Sequence, residues 1–565
     1  MKKLRWQLII IFLTGLVVGI LLLGEQPGGL QPLEPEPVRG GIYTEALVGN
    51  IQRLNPLLHY YNPVDRDVDR LLYSGLIRFD SRGVPAADLA ESWGVSKDGK
   101  LYNFELRPNL KWHDGEPLTS DDVTFTVDLL REGGDIVPKD VQEFWKEVDV
   151  TALSETAIQF SLPEPFAPFV DFLSVGILPR HILGGMNYQQ MIDAPFNLQP
   201  VGSGPYRFDK LMVENDTITG LSLSIFDDYY GKKPYIERIV FRYYPDSAAA
   251  LEAYLQGNIQ GISEVTNDVL PDALAEPNLS LYSGRKPELA MVLFNLNNPQ
   301  VPFLKELDIR QALVQGLNRQ AIVNKILQGQ AVVATSPILP GTWASYDGLE
   351  LVVYDQQKAI DRLKEAGYVL TGEQDSVRKK ENQALSFQLI HPDDEQHTLI
   401  AEEIQSDWAK IGVEVNLEPL PYEEIINGRL APREFQAALI DLNLANSPDP
   451  DPYPFWDQAQ ATGGQNYSQW DNRTASEYLE SARLTADLGE RARLYRNFQV
   501  VFTDEQPAVL LYYPVFNYAV DQEVRGVRVG PLFDSSDRFA TISDWYLVAR
   551  VPAQGQQAES TPGSQ

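Results

Sequence analysis

The stretch from Leu89 to Val123 constrains the fold of this chain most, because turns and a strand follow one another within it at short spacing. Residues 96–99, Ser-Lys-Asp-Gly, form a predicted turn. In residues 101–106 two sets of side chains alternate, one of them wholly apolar, which is the period of a half-buried strand. A second turn is predicted at residues 113–117, since glycine tolerates positive φ and proline fixes its own φ. The stretch therefore predicts one strand between two tight turns.

A helix is predicted directly after the second turn. Thr119 is a favourable N-cap residue, and Asp122 three positions later completes the pattern of a capping box. The helix would run from Ser120 to about Arg131 and end at Gly133–Gly134, because glycine readily takes the left-handed conformation that terminates helices. Strand, turn and helix together predict a mixed α and β structure for this part of the chain.

The same residues resemble the signature region of the family 5 extracellular solute-binding proteins, which include the oligopeptide-, dipeptide- and nickel-type receptors of ABC importers. The family pattern is an "lAesW" turn, a strand that ends in "LR", and a "W/F-x-DG-x-P" turn followed by "DV". The matching residues of this chain are Leu89-Ala90-Glu91-Ser92-Trp93, Leu106-Arg107, Trp112-His113-Asp114-Gly115-Glu116-Pro117 and Asp121-Asp122-Val123. The spacing agrees across the whole stretch, and the chain is identified as a member of this family.

Further motifs extend the resemblance from Arg39 to Arg550. Residues 177–183 are similar to the family's "iLPkHil", and residues 202–208 to its "GTGPYkf". The later matches include a helix pair at 308–323, a helix that ends at Gly367, a helix from Glu402 to Ile411, a strand at 435–440 that leads into the loop at 441–452, and a returning strand at 510–514.

The resemblance implies an α/β protein with the periplasmic-binding-protein type II fold, in which two α/β lobes close on a ligand and one extra α+β domain is inserted. A chain of 565 residues is also too long for a single core. The expected parts are lobe I (residues 39–59, 194–285 and 510–551), the inserted domain II (60–193) and lobe III (286–509).

The two ends of the chain are expected to lie outside the folded body. A basic amino terminus precedes an apolar run from Leu8 to Leu23, and a basic flank stays in the cytoplasm. Residues 1–24 are therefore expected to be an uncleaved membrane anchor, which would tether the exported body to the outer face of the cytoplasmic membrane, or a cleaved signal peptide, which would leave a periplasmic protein. The Pro-, Gly- and Glu-rich residues 25–38 indicate a spacer, and the tail 552–565 is expected to be disordered.

Composition excludes several classes of function. The formal net charge is −31, so no nucleic-acid partner is expected, because its phosphates would be repelled. The chain has no Cys, which excludes disulfides, thiolate metal sites, a Cys nucleophile and a lipid-anchoring Cys. His391 and His397 have the wrong spacing for two zinc ligands on one helical face. Asp449 and Asp451 lie between prolines and indicate a rigid loop rather than an acid/base pair. No enzyme activity, metal or cofactor is therefore expected.

The resemblance also implies where a ligand binds. In the family an extended peptide lies in the closed cleft, held by polar backbone groups like an added strand. The candidate cleft residues of this chain are Asn50, Asp441, Asn443, Asn446 and Asp449. In peptide-binding members an Asp just before the "DPd" loop pairs with the ligand's α-amino group. The matching residue here is Asn446, and Asn443 stands in the place of the usual cleft Trp. Because Asn carries no charge, a neutral or oligosaccharide-like ligand is an alternative to a peptide with a free amino terminus.

The function implied by the resemblance is capture of a peptide or similar small solute for an ABC importer. The binding protein is expected to be a monomer and to deliver its ligand to the permease and ATPase subunits. Two alternatives stay open. One is a membrane-anchored binding protein for a neutral oligosaccharide. The other is a sensor or scaffold that keeps the fold without transport, which an uncleaved anchor and the missing lipid-anchoring Cys would suit.

Overall fold

The structure, a computed structural model, describes residues 37–134, 136–372, 374–445 and 448–548. The predicted membrane segment, the predicted tail and the candidate residue Asn446 lie outside these ranges. None of the helices within them has both the length and the apolar character that crossing a bilayer requires.

Strands and helices intermix along the chain. In chain order the strands are β1 (Ile42–Val48), β2 (Ile77–Phe79), β3 (Pro85–Ala87), β4 (Ala90–Val95), β5 (Leu101–Leu106), β6 (Asp149–Ala152), β7 (Ala157–Ser161), β8 (Tyr206–Glu214), β9 (Thr217–Ile225), β10 (Arg238–Tyr244), β11 (Gly261–Ile262), β12 (Leu279–Arg285), β13 (Glu288–Phe294), β14 (Ala331–Val333), β15 (Lys379–Lys380), β16 (Gln383–Ala384), β17 (Ser386–Pro392), β18 (Glu414–Leu420), β19 (Ala437–Asn443), β20 (Ala508–Asp521), β21 (Val524–Arg525) and β22 (Tyr546–Leu547).

The α-helices are α1 (Pro63–Leu72), α2 (Ser120–Glu132), α3 (Lys139–Glu147), α4 (Arg180–Leu183), α5 (Tyr188–Ile192), α6 (Ser247–Leu255), α7 (Leu270–Ala275), α8 (Leu307–Gln315), α9 (Arg319–Lys325), α10 (Gln356–Glu365), α11 (Glu395–Lys410), α12 (Tyr453–Trp456), α13 (Arg473–Leu484) and α14 (Leu488–Glu505). Short 3-10 segments lie at Ala167–Ser174, Pro195–Leu198, Pro302–Lys305, Gln458–Gln460 and Ser535–Asp544, and a π-helical segment at Glu424–Leu430.

One twelve-stranded sheet runs through the body of the protein. Its order is β18-β17-β19-β13-β20-β11-β1-β10-β9-β8, and β12 and β14 also pair with β20. Strand β1 is parallel to β10 and β11, and β17 is parallel to β18 and β19. A separate four-stranded sheet, β4-β5-β7-β6, lies in the predicted domain II. The topology is therefore that of a mixed α/β body with an additional small sheet.

Strand β20 joins the two lobes. Its amino-terminal half pairs with β13 and β14, whereas its carboxyl-terminal half, from Val515 onward, pairs with β12 and β11. The chain also crosses between the lobes at Lys286–Pro287, which separates β12 from β13. We refer to the part of the sheet that contains β1 and β8–β12 as lobe I, and to the part that contains β13, β14 and β17–β19 as lobe III.

The hydrophobic core divides at the same place along β20. One core is built from residues between Leu289 and Tyr513 together with Phe533. Another combines residues between Tyr43 and Phe241 with residues between Phe516 and Trp545, and it includes the apolar side chains of the small sheet. Because burial of apolar surface is the main stabilising contribution, each lobe has its own source of stability, and few chain crossings connect them.

The signature region folds as its sequence predicts. The predicted strand is β5, and helix α2 ends one residue beyond its predicted end. The Oδ2 atom of Asp122 accepts a hydrogen bond from the backbone N–H of Thr119 at 2.9 Å, which is the expected capping box. Gly133, with φ of 54°, follows the last residue of the helix. Local capping signals were therefore sufficient to define this element.

His113 of the second turn connects the signature region to residues 202–204. Its Nδ1 atom accepts from the backbone N–H of Gly202 at 3.1 Å, so its Nε2 atom carries the proton and donates to the carbonyl of Gly204 at 3.1 Å. Burial lowers the pKa of His113 to about 4, so the ring is neutral at pH 7. Gly202 also lies so close to α1 that a Cβ would be 1.9 Å from the carbonyl oxygen of Leu72. The two predicted motifs thus pack against the end of α1.

Three predicted boundaries were wrong. The strand predicted at residues 435–440 is β19, Ala437–Asn443, so Asp441 and Asn443 lie in the strand and not in the loop after it. The helix predicted from Glu402 begins at Glu395, because Asp394 caps it by accepting from the backbone N–H of His397 at 3.0 Å. The strand predicted at residues 510–514 extends over Ala508–Asp521, because both lobes supply pairing partners along its length.

Candidate ligand-binding cleft

Polar residues follow parallel strands in both lobes. In lobe III, β17 and β19 are parallel neighbours; Asp394 follows β17, and Asn443 is the last residue of β19. In lobe I, β1 is parallel to β10 and β11, and Asn50 follows β1. Ligands of open α/β sheets bind in the crevice outside the carboxyl ends of the strands. These two carboxyl edges are therefore the candidate walls of a ligand site.

The two edges meet at the chain crossing. Glu264, just after β11 of lobe I, forms an ion pair with Lys286 at the crossing, with 3.0 Å between Oε1 and Nζ. Glu288, the first residue of β13, lies opposite Asn443 at the carboxyl end of β19. Both carboxyl edges consequently adjoin the chain crossing at Lys286–Pro287.

Four polar residues of lobe III share one face of the sheet at this edge. Tyr512 pairs with Ala290 on one side, and Ala290 pairs with Asp441 on the other. Directly opposed residues of antiparallel strands point to the same face, and so do residues two apart on one strand. Glu288 is two residues before Ala290, and Asn443 two after Asp441. We call Glu288, Asp441, Asn443 and Tyr512 the polar face.

His397 binds the polar face to the start of α11. Its Nδ1 atom is 2.6 Å from Oδ2 of Asp394, and its Nε2 atom is 2.9 Å from Oδ2 of Asp441. Ionised carboxylates only accept hydrogen bonds, so both ring nitrogens must donate and the imidazole is positively charged. Burial by itself lowers the pKa of His397, but the hydrogen bonds and charges of Asp441 and Asp394 outweigh it, and the pKa is raised.

Asp441 is held in place by two neighbours and is not a free anion. Its carboxylate forms an ion pair with His397, which it shares with Asp394, and its backbone carbonyl accepts from the hydroxyl of Tyr422 at 2.8 Å. Asn443 is exposed, and its side-chain oxygen accepts from the backbone N–H of Ala445 at 2.8 Å, which starts the loop after β19. The structure thus brings two of the predicted site residues onto one surface.

The other predicted site residues lie elsewhere. Asn50 is exposed on lobe I, where its backbone carbonyl accepts from the side-chain amide of Asn62 at 3.0 Å. Asn446 is outside the described residues. Asp449 is 4% exposed, and its carboxylate contacts Arg491 at 2.5 Å and the hydroxyl of Tyr495 at 3.2 Å.

Asp449 also connects its loop to domain II. Its backbone N–H donates to Oδ2 of Asp171 at 2.7 Å. Burial alone would lower the pKa of Arg491, but the charge of Asp449 outweighs burial and raises it. The side chain of Asp449 is therefore engaged inside the protein.

Sequence reasoning missed Glu288, Asp394, His397 and Tyr512. His397 was considered only as a zinc ligand, and its carboxylate partner Asp441 is 44 residues away in the sequence. One local signal was available, since the aspartates after the apolar strand β17 are favourable helix N-caps. Within the described ranges no group of three His, Asp or Glu side chains is arranged to hold a metal ion.

Comparison with known proteins agrees with this architecture. The profile of the bacterial extracellular solute-binding proteins, family 5 (Middle), matches residues 84–466. The chain is similar to the dipeptide-binding protein of Escherichia coli, with 29% identity over 82% of this chain and 87% of that protein. It is also similar to the oligopeptide-binding protein AppA of Bacillus subtilis, with 27% identity over 91% of this chain and 92% of AppA.

The structure of AppA in complex with a nonapeptide has a similar fold. It aligns with a TM-score of 0.63 and 25% sequence identity over 91% of this chain and all of that chain. The fold is the periplasmic-binding-protein type II fold with two α/β lobes, and the family consists of solute-binding proteins and not of enzymes. The chain therefore belongs to the bacterial extracellular solute-binding proteins of family 5.

Proposed function

We propose that this protein is the extracytoplasmic binding component of an ABC importer and that its ligand is a peptide. The observation that carries the proposal is the meeting of two carboxyl strand edges, one from each lobe, at the crossing beside Lys286. A solute bound there would contact both lobes and favour their closure. The relatives named as dipeptide- and oligopeptide-binding proteins cover most of the chain, which supports a peptide as the solute. The loaded protein would then dock on permease subunits driven by an ATPase.

The proposed site uses the predicted residues in two ways. Asn50 from lobe I and Asp441 and Asn443 from lobe III would contact the ligand directly. Asn446 would do so from the loop after β19, and Asp449 would hold that loop through Arg491. The proposed boundaries remain residues 39–59 and 194–285 for lobe I and 60–193 for domain II. Lobe III would run from residue 286 into β20, and the return to lobe I, expected at residue 510, would lie near Val515.

We also propose that the binding protein is a monomer held at the membrane. The apolar residues 8–23 would anchor it to the outer face of the cytoplasmic membrane, and the spacer 25–38 would give the folded body reach. Such a tether keeps a loaded binding protein at high local concentration near its transporter.

Native mass spectrometry of the full-length chain, extracted from membranes with mild detergent, tests the proposal. We expect the protein in the membrane fraction, as a monomer whose mass exceeds that of the chain by one or more peptides. Release of the bound molecules and their fragmentation would identify them. Recovery of the chain in the cytoplasm, or a bound neutral oligosaccharide with no peptide, would contradict the proposal.

A further inference from the structure

The Asp-Pro-Asp motif at residues 449–451 pairs with one arginine on each of two helices of lobe III. The carboxylate of Asp449 contacts Arg491 of α14 at 2.5 Å. The carboxylate of Asp451 accepts from Nη2 of Arg483 of α13 at 2.8 Å. Two ion pairs therefore hold the motif against α13 and α14, and the motif is a fixed part of lobe III.

The prolines of this loop leave one backbone donor for another part of the protein. Residues 448, 450 and 452 are prolines, which have no N–H. The N–H of Asp451 donates within the motif, to Oδ1 of Asp449 at 3.2 Å. The N–H of Asp449 is the remaining backbone donor of residues 448–452, and it donates to Oδ2 of Asp171 at 2.7 Å. The spacing of the prolines thus directs one hydrogen bond from the motif to a carboxylate of domain II.

The same segment of domain II also contacts Arg483. Asp171 lies in the 3-10 segment that follows Phe166, and the guanidinium of Arg483 lies over the ring of Phe166, 5.2 Å from the ring centre. The guanidinium is also 4.1 Å from the ring centre of Tyr453 in lobe III. A cation over the face of an aromatic ring is attracted to it. Arg483 therefore binds one ring of domain II and one of lobe III.

A second contact lies at the turn between β2 and β3 of domain II. The carbonyl of Arg82 accepts from the backbone N–H of Trp343 at 2.8 Å. Gly83 approaches Pro448 so closely that a Cβ on the glycine would be 3.0 Å from Cβ of the proline. The ring centre of Trp343 is 5.2 Å from the guanidinium of Arg491, which pairs with the motif. The second contact therefore adjoins the first.

These contacts lie between two bodies with separate cores. The small sheet of domain II shares a hydrophobic core with lobe I, to which Phe104 of β5 and Tyr43 of β1 both belong. Leu479 of α13 belongs to the core of lobe III. Domain II is also continuous with lobe I at both of its proposed ends. A rotation of lobe III about β20 and Lys286–Pro287 would therefore break the contacts, and the contacts in turn oppose such a rotation.

We propose that domain II acts as a latch, in which Asp171 and Phe166 bind the Asp-Pro-Asp motif and Arg483 and hold the lobes closed. Asp171 is a positioning residue, because it acts on the lobes through the backbone of Asp449. The latch favours the closed arrangement over the open one, so it promotes closure of the protein without solute and slows release of a bound solute. Retention of a solute rests on the proposed function, whereas closure without solute does not.

Energy transfer between two dyes tests the latch. The dyes are attached at Gln52→Cys in lobe I and Gln396→Cys in lobe III, both exposed positions, and the protein is stripped of bound solute. We expect Asp171→Ala to lower the ratio of closed to open molecules about tenfold, the lower end of the range for a hydrogen bond to a charged group. Energy transfer should therefore fall. Native mass spectrometry with an equimolar tripeptide mixture should show binding that is weaker by up to about tenfold.

Two further variants separate the latch from general effects. Asp114→Ala also removes a carboxylate of domain II, but its partner His181 lies in domain II as well, so energy transfer should equal that of the wild type. Phe166→Leu keeps an apolar side chain without the ring and should lower the ratio of closed to open molecules about two- to fivefold. It should have no further effect once Arg483→Gln has removed the cation. Phe166→Leu also decides the test if Asp171→Ala does not fold.

The possible results distinguish this inference from the proposed function. If Asp171→Ala and Phe166→Leu keep the energy transfer of the stripped wild type at an unchanged melting temperature, the inference is wrong. An equal fall in Asp114→Ala would also contradict it, because the effect would not be specific to the contact with lobe III. If the wild type does not bind the tripeptide mixture but Asp171→Ala still lowers energy transfer, the latch stands and the peptide-binding function is wrong.

Discussion

At the scale of single residues, the cleft edge depends on the charge of His397. The ring lies between Asp394 and Asp441 and can satisfy both carboxylates only as the imidazolium. The other titratable side chains near this ring are Glu288, Tyr422 and Tyr512, and none of them carries a positive charge. Loss of the His397 proton would therefore place two carboxylates against a neutral ring at the carboxyl edge of lobe III.

We predict that His397 makes the stability of the protein depend on pH in the neutral to alkaline range. The pKa of His397 is raised in the folded state above the unfolded value of about 6.5. The stabilising contribution is therefore complete below about pH 6.5 and is lost as pH rises through the folded pKa. The loss should be about 0.5–1 kcal/mol, since the pair is partly exposed and screened.

Chemical denaturation of the wild type and of His397→Gln between pH 6 and pH 9 measures this contribution. We expect the variant to be less stable at pH 6 and the difference to shrink by pH 9. His181→Gln is the matched control, because His181 contacts a single carboxylate, that of Asp114, at a more exposed site. A difference between wild type and His397→Gln that stays constant with pH would show that the imidazolium does not provide the stabilisation.

At the scale of secondary structure, elements with local signals were predicted well and elements defined by distant partners were not. Helix α2 has a capping residue at one end and glycine at the other, so its bounds follow from the sequence. Helix α11 is an exception, because its start is determined by a local cap at Asp394, which was overlooked since the first turn of the helix shows no apolar period. Strand β20 could not be predicted in full, because its pairing partners lie in both lobes.

The same distinction applies to the site. Asp441 and Asn443 were predicted because they precede a recognisable loop motif. Glu288 and Tyr512 belong to strands that are over 200 residues apart, and they share a face with Asp441 only through the register of β13 with its two neighbours. Register is determined by the packing of whole strands, which no short motif encodes.

The contact between residues 202–204 and the end of α1 gives a prediction at this scale. Gly202→Ala would place a methyl group 1.9 Å from the carbonyl oxygen of Leu72, so the backbone must shift. We expect a loss of about 1–3 kcal/mol in the free energy of unfolding, as for other overpacked sites. Gly94→Ala is the control, because its Cβ would meet no atom within 4 Å. Denaturant unfolding of both variants checks this, and equal stabilities would contradict the close approach.

At the scale of the whole molecule, the two lobes are separate cores joined by a shared sheet. The core of lobe III ends at Tyr513 and the next core begins at Phe516, so β20 passes from one to the other within a few residues. The second crossing, Lys286–Pro287, is equally short. A hinge needs only a few residues that absorb a change in backbone angles, and these two segments meet that requirement.

We therefore predict that peptide binding closes the lobes. Because the chain has no Cys, dyes can be attached at two introduced cysteines only, and energy transfer between the dyes measures the closure. Gln52→Cys in lobe I and Gln396→Cys in lobe III are exposed positions near the two carboxyl edges, so a donor and an acceptor dye would label only these sites. A ligand that contacts both lobes binds the closed arrangement more tightly and shifts the population towards it. The efficiency of energy transfer should rise with peptide concentration and saturate with the affinity measured by mass spectrometry. The pair Gln396→Cys and Glu365→Cys, both within lobe III, should not respond. If the control pair does not respond, a change between the lobes comes from movement about β20 and Lys286. Unchanged energy transfer between the lobes at saturating peptide would mean that the ligand binds without closure.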